Sequence, residues 1–195
     1  ALAKYLHEHS VRHESTFLAV NMGAIPETLF ESEMFGHVKG AFTDAKDDRM
    51  GRFELANEGT LFLDEIANIS MTQQAKLLHV LEERKFERIG SQLTLDANVR
   101  LISATNANLN AMVENSQFRQ DLLYRLNTIE IRIPALRERP EDILPITNFF
   151  IDSLCQKYRM NVKQLSQTAK DALISYQWPG NIRELMHTVE RSIFL

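Results

Sequence analysis

Gly59-Thr60-Leu61-Phe62-Leu63-Asp64-Glu65 decides how the chain reads: a short apolar run that ends in two adjacent carboxylates. Strands buried on both faces show such nearly continuous apolar character, and parallel sheets are where they occur. Working outward, Phe17 to Asn21 and Val99 to Thr105 read the same way, and Thr128 to Ile133 supplies a fourth β-rich run. Helical spacing takes over between them. After the central run, Ser70 with Gln73 three residues on forms a capping box, and Leu77, Leu78 and Leu81 follow on one face. Strand alternating with helix predicts an α/β core, a parallel sheet covered on both sides by helices.

Leu2, Tyr5 and Leu6 repeat at helical spacing with no capping residue before them, so the chain is expected to open inside a helix. A second region starts near Pro134, where Pro134, Pro140 and Pro145 punctuate the charged stretch Arg137 to Asp142. Beyond it the pattern is helical throughout. Ile143, Ile146, Phe150, Ile151 and Leu154 form one stripe, Ser166 caps a shorter helix, and a last helix follows the Trp178-Pro179-Gly180-Asn181 turn. The expected organisation is an α/β unit over residues 1–135 and a small all-helical unit over residues 136–195.

Composition narrows the function classes. The 195 residues are 44% hydrophobic and 25% charged, enough apolar material for a core without staples. Lys+Arg 22 against Asp+Glu 26 gives a net charge of -4, which disfavours autonomous DNA binding. The single cysteine, Cys155, excludes an internal disulfide and points to a reducing compartment, the cytoplasm by default. No apolar run approaches the roughly 18 residues of a membrane span. His7, His9 and His13 approximate metal spacing but read as a solvated helix end, and Cys155 and Trp178 read as packing residues.

Ligands of open parallel sheets bind beyond the carboxyl ends of the strands, which is where Asp64 and Glu65 emerge. Asp64 is suited to Mg²⁺, directly or through water, and Glu65 to orienting or deprotonating an attacking water. A plain strand with a polar cap would use the same residues. Thr105 and Asn106 end another run at the same edge, suited to sensing a phosphate or positioning water, or merely to terminating the strand. In Phe118 to Leu126, Arg119 and Arg125 lie six apart. At about 100° per residue that is roughly 600°, or about 240°, so a regular helix sends them to different contacts. Arginine suits phosphate recognition, and a surface pair with Asp121 would equally accommodate Arg119.

Gly40-Ala41-Phe42-Thr43-Asp44-Ala45, preceded by Gly36-His37-Val38-Lys39, is no amphipathic helix. Small residues surround one phenylalanine at the tip of a loop, and exposed apolar surface of that kind marks a binding site. A hairpin that tucks Phe42 into the core is the alternative.

Taken in order, these stretches resemble the central AAA+ ATPase domain of bacterial enhancer-binding proteins, the activators of sigma-54 RNA polymerase. The resemblance spans essentially the whole chain. Glu31-Ser32-Glu33-Met34-Phe35-Gly36-His37 leads into a loop that is similar to the family's GAFTGA loop, with one departure at Asp44. Gly59 to Glu65 resembles its Walker B motif, Ala104-Thr105-Asn106 sensor I, Phe118 to Leu126 the arginine-finger segment, Trp178 to Leu185 sensor II, and Lys85 to Asn98 the second pore loop. The resemblance implies a three-layer AAA+ core with a helical lid, and the cofactors ATP and Mg²⁺. It further implies that Asp64 serves the Mg²⁺, Glu65 activates water, and Asn21 holds Glu65 in an alternative position. Arg119 and Arg125 would reach a neighbouring subunit's nucleotide, Thr105 and Asn106 would sense nucleotide, and Arg183 would contact phosphates from the lid. Gly40, Ala41, Phe42, Thr43, Asp44 and Ala45 would touch the sigma factor of the holoenzyme. Implied partners are further copies in a hexameric or heptameric ring, with DNA bound through a separate domain and no membrane.

One family element has no counterpart: no Gly-x-x-x-x-Gly-Lys-Ser/Thr loop occurs in these residues. The chain is expected to begin just after that loop and to lack the strand before it. That strand lies in the middle of the family's sheet, so its neighbours are expected to be left unpaired. Two rivals to an ATPase core are a degenerate, non-catalytic interaction module and an AAA+ machine of another class, such as an unfoldase. The Gly40–Ala45 loop argues against the second.

Overall fold

A computed structural model describes residues 2–194, in two units that divide between Ile129 and Glu130. The first unit runs through α1 (Leu2–Glu8), β1 (Phe17–Asn21), α2 (Phe30–Phe35), β2 (Gly36–His37), β3 (Arg49–Met50), α3 (Arg52–Leu55) and β4 (Thr60–Asp64). It continues through α4 (Met71–Glu83), β5 (Lys85–Glu87), β6 (Thr94–Asp96), β7 (Arg100–Ser103), α5 (Leu109–Glu114) and α6 (Gln120–Leu126). The second unit holds α7 (Ile143–Lys157), α8 (Gln167–Ser175) and α9 (Asn181–Phe194).

β4 is the centre of a three-stranded parallel sheet in the order β1-β4-β7, with Leu61 opposite Leu18 on one side and Leu101 on the other. Leu61 and Leu63 are fully buried, as a strand covered on both faces requires. Gly59 begins this strand because the backbone of Thr16 passes too close for any side chain: a Cβ there would lie 2.2 Å from the Thr16 carbonyl oxygen. The predicted capping box forms, with Ser70 Oγ accepting from Gln73 N and Gln73 Oε1 accepting from Ser70 N at 2.7 Å. Leu77 and Leu78 then enter the core, and Leu81 packs at its margin.

Two expectations for this unit need correction. Thr128 to Ile133 forms no strand, and Ile129, Ile131 and Ile133 are exposed. A strand needs a neighbour to pair its N–H and C=O groups, and among the described residues no strand lies in register beside this run. The run keeps its alternating pattern and, among the described residues, finds no ladder to join. The second correction concerns α1. Its buried residue is His7 rather than Leu2 or Tyr5, and His7 Nδ1 is hydrogen bonded at 2.9 Å to the buried hydroxyl of Thr60. A histidine read as part of a solvated helix end therefore ties the first helix to the central strand. His9 and His13 do stay exposed, each with its Nδ1 on a carbonyl of its own turn.

In the second unit Ile143, Ile151 and Cys155 of α7 are buried with Leu185, Val189 and Ile193 of α9, and Ile146, Phe150 and Leu154 pack beside them. Trp178 is buried and donates its indole N–H to the Leu173 carbonyl at 2.8 Å, so the packing role read from sequence holds. Ser166 caps α8 by accepting from Ala169 N.

Candidate functional site

β1 and β4 run parallel with Asn21 opposite Asp64, so both residues reach the carboxyl end of the sheet side by side. The β4–β7 ladder extends one residue past β7, because Ala104 N donates to Leu63 O at 2.9 Å and Ile66 N to Ala104 O at 3.0 Å. Thr105 and Asn106 follow immediately. The topology thus brings Asn21, Asp64, Glu65, Thr105 and Asn106 to one sheet edge, the place where open parallel sheets receive ligands.

Glu65 carries the conformational cost of this arrangement. Its backbone is left-handed, with φ 56° and ψ 42°, a region that costs a non-glycine residue roughly 1–2 kcal/mol. The turn is held because Ile66 and Ala67 are buried behind it and Asn68 N donates to Glu65 O at 2.9 Å. Asp64 Oδ1 accepts from Glu65 N at 3.0 Å, and Asn68 Nδ2 donates to Glu65 Oε2 at 3.2 Å. Asn21 Oδ1 accepts from Gly23 N at 2.9 Å. Gly23 lies between these groups: a Cβ there would approach Glu65 Oε2 to 2.6 Å and Asn21 Oδ1 to 3.3 Å. Nothing in the sequence marks Gly23 for this role, because the glycine serves two side chains from distant segments.

Two neighbouring carboxylates at an open edge suit Mg²⁺, which takes one or two protein carboxylates plus phosphate oxygens and water rather than a full protein cage. No group of three or more acidic, histidine or cysteine side chains able to hold an ion exists among the described residues. The donor set therefore fits a metal that arrives with a phosphate ligand.

Arg119 and Arg125 are held elsewhere in the first unit. Phe118 and Leu122 are buried and anchor the start of α6. Arg119 makes a paired contact with Asp121, Nε to Oδ1 at 3.0 Å and Nη2 to Oδ2 at 2.7 Å. That hydrogen bond raises the arginine pKa and lowers that of the Asp121 carboxyl. Arg125 donates Nε and Nη2 to the Leu81 carbonyl in the last turns of α4, so the two arginines do serve different contacts. Gln74, fully buried on α4, sets the backbone beneath Arg119. Its Nε2 donates to the carbonyls of Ile69 and Gln117, and its Oε1 accepts from Arg119 N at 2.8 Å. In the second unit Arg183 is exposed on the first turn of α9, where it lines an open hollow with Glu184 and His187.

The Gly40–Ala45 segment is a closed loop between β2 and β3. Gly40 N donates to Ala45 O at 2.8 Å and Ala45 N to Phe42 O at 2.9 Å, while Ala45 is buried. Gly40 has φ 81°, a glycine conformation, with open space on its side-chain face. Phe42 remains 42% exposed, leaning its ring on His37 instead of entering the core. The β5–β6 hairpin supports the loop from beneath, with Val38 N donating to Ile89 O at 3.1 Å and Ile89 N to Gly36 O at 2.9 Å.

Residues 1–132 match the Sigma-54 interaction domain, and residues 137–195 match the AAA+ ATPase lid domain. The chain belongs to the sigma-54 interaction domain family. Within it, the chain is 47% identical over 193 residues to the transcriptional regulatory protein FlgR of Helicobacter pylori, covering 99% of this chain and 51% of FlgR. It is 46% identical to the regulatory protein AtoC of Escherichia coli, covering 100% of this chain and 42% of AtoC. The chain thus spans about half the length of these relatives. The crystal structure of NtrX from Brucella abortus in complex with ATP superposes with a TM-score of 0.89 at 34% identity, over 99% of this chain and 44% of NtrX. The parallel sheet and helical lid match those of NtrX, and the relatives FlgR and AtoC are named as regulatory proteins.

Proposed function

We propose that this chain is the working core of a sigma-54-dependent transcription activator, which couples ATP hydrolysis in a ring of subunits to remodelling of the closed complex of sigma-54 RNA polymerase. The observation that carries the reading is Glu65, held left-handed directly after Asp64 with Asn21 in register beside them. A carboxylate kept in a costly conformation at a ligand-binding edge marks a functional position. Asp64 would hold Mg²⁺ together with the nucleotide phosphates, and the ion would neutralise phosphate charge. Glu65 would take a proton from the attacking water. Asn21, across Gly23 from it, would hold the glutamate in a second position. Thr105 and Asn106 would sense the nucleotide at the same edge, and Arg183 would contact the phosphates from the lid. Arg119 and Arg125 would serve a neighbour's nucleotide, and Gly40–Ala45 would meet the sigma factor. We place the protein in the cytoplasm, with DNA contact through a separate domain.

The test uses the full-length protein. Glu65→Gln should bind nucleotide without hydrolysing it, since an amide is no base; such losses run about 100- to 10,000-fold. Arg119→Ala should lose about 1,000- to 100,000-fold, as arginine fingers do. Because the arginine acts on a neighbour, mixed rings of the two variants should regain turnover at mixed interfaces. Mixed rings that form and stay inactive would overturn the in-trans role. The rival reading is a non-catalytic interaction module. Under that reading the full-length wild type hydrolyses no ATP.

A further inference from the structure

His37 is the residue beneath the loop that none of these roles uses. It is 8% exposed, and its Nδ1 is hydrogen bonded at 2.8 Å to Ser32 Oγ on α2, itself buried. That bond fixes the ring's orientation from a rigid element. The other contact of the ring is Phe42, at 4.9 Å between centroids and 63° between planes, an edge-on geometry that favours aromatic pairs. Backbone pairing secures His37 from two more directions, opposite Arg49 in the β2–β3 ladder and bridged to Ile89 of the β5–β6 hairpin. His37 is therefore held by its side chain and by its backbone. Phe42 is different: its side chain is half exposed, two residues beyond Gly40, whose own side-chain face is open.

From this contrast we infer that His37 is a positioning residue, which seats the Phe42 ring and so presents the Gly40–Ala45 loop to its partner in one posture. The inference rests on the reading of that loop as the sigma-factor contact. A wholly exposed phenylalanine would sample several rotamers and pay their entropy on docking. An imidazole held from behind by Ser32 selects one of them beforehand. Histidine suits the task because it combines a ring for the aromatic contact with a polar nitrogen that a buried hydroxyl can satisfy.

Two substitutions in the full-length protein separate positioning from simple structural support. His37→Asn keeps a polar partner for Ser32 and removes the ring. His37→Phe keeps a ring and leaves Ser32 Oγ unsatisfied. With 4-fluorophenylalanine placed at position 42, the ¹⁹F resonance reports whether the ring is seated. Positioning predicts that His37→Asn moves the resonance toward that of free fluorophenylalanine, weakens binding of isolated sigma-54 by about 2- to 10-fold, and leaves the melting temperature the less changed of the two variants. His37→Phe should keep a seated resonance at a lower melting temperature. An unmoved resonance in His37→Asn would overturn the inference. Should His37→Asn not fold, His37→Phe decides: a seated signal supports the inference and a free-like signal overturns it. A resonance that moves without any sigma-54 binding by the wild type would instead refute the sigma-factor reading and leave the seating of Phe42 intact.

Discussion

Arg119 is the residue at which two demands compete. In this chain its guanidinium is committed to Asp121, whereas the role proposed for it at a neighbour's nucleotide would require it to let go. The contact is exposed, so the pair contributes little to stability and exchanges easily. The lowered Asp121 pKa gives its sign: the contact is fully formed above the ordinary aspartate range and is lost as pH falls through the lowered value. An NMR titration of the Asp121 carboxyl should therefore show a midpoint below the usual value of about 3.9, and Arg119→Ala should return it upward. A midpoint at the ordinary value would mean that the pair does not persist in solution. The pairing was legible as an alternative in the sequence, because Asp121 lies two residues on. His7 was not legible: whether a histidine at the end of a helix meets water or a buried threonine is decided by β4, which lies fifty-three residues away.

At the scale of elements, one amide on α4 ties down the entry to α6, while Arg125 ties its last turn to the Leu81 carbonyl. Gln74 satisfies two carbonyls and the Arg119 N–H from a fully buried position, so replacing it with leucine strands three backbone groups. At about 1–3 kcal/mol for each unsatisfied group, with water relieving the partly exposed ones, Gln74→Leu should cost on the order of 2–4 kcal/mol. Urea denaturation of the protein would measure it. A change below about 0.5 kcal/mol, the size of ordinary surface substitutions, would show that the amide does not hold the α6 entry. Sequence periodicity made α4 and its cap readable, since both are local. Gln74 reads there as one more polar residue in the first turn, because two of its three partners come from the distant chain at Gln117 and Arg119. The same reasoning explains the Thr128–Ile133 run. Alternation is a local property, and strand formation requires a neighbour that alternation cannot supply.

For the whole molecule, residues 1–132 match the Sigma-54 interaction domain and residues 137–195 the AAA+ ATPase lid domain, and the motifs that signalled the family were readable because each lies within a short contiguous stretch. The resemblance alone paired Asn21 with Glu65, and Gly23 between them was not readable, since the parallel register of β1 and β4 sets it. The missing phosphate loop leads to one expectation for these 195 residues by themselves: without a backbone cradle or its lysine, equilibrium binding of labelled ATP should be weaker than micromolar. Micromolar binding would show that these residues suffice without that loop. Asp44 bears on the larger claim, since aspartate tolerates turn conformations better than most residues and leaves Phe42 and Thr43 in place. The most direct test is to assemble the full-length protein with isolated sigma-54 and a transition-state nucleotide analogue, and to measure the trapped complex. The account predicts that the wild type and Asp44→Gly both form the complex and that Thr43→Ala does not. A wild-type loop that fails to bind while Asp44→Gly binds, or a Thr43→Ala variant that binds as well as the wild type, would contradict it.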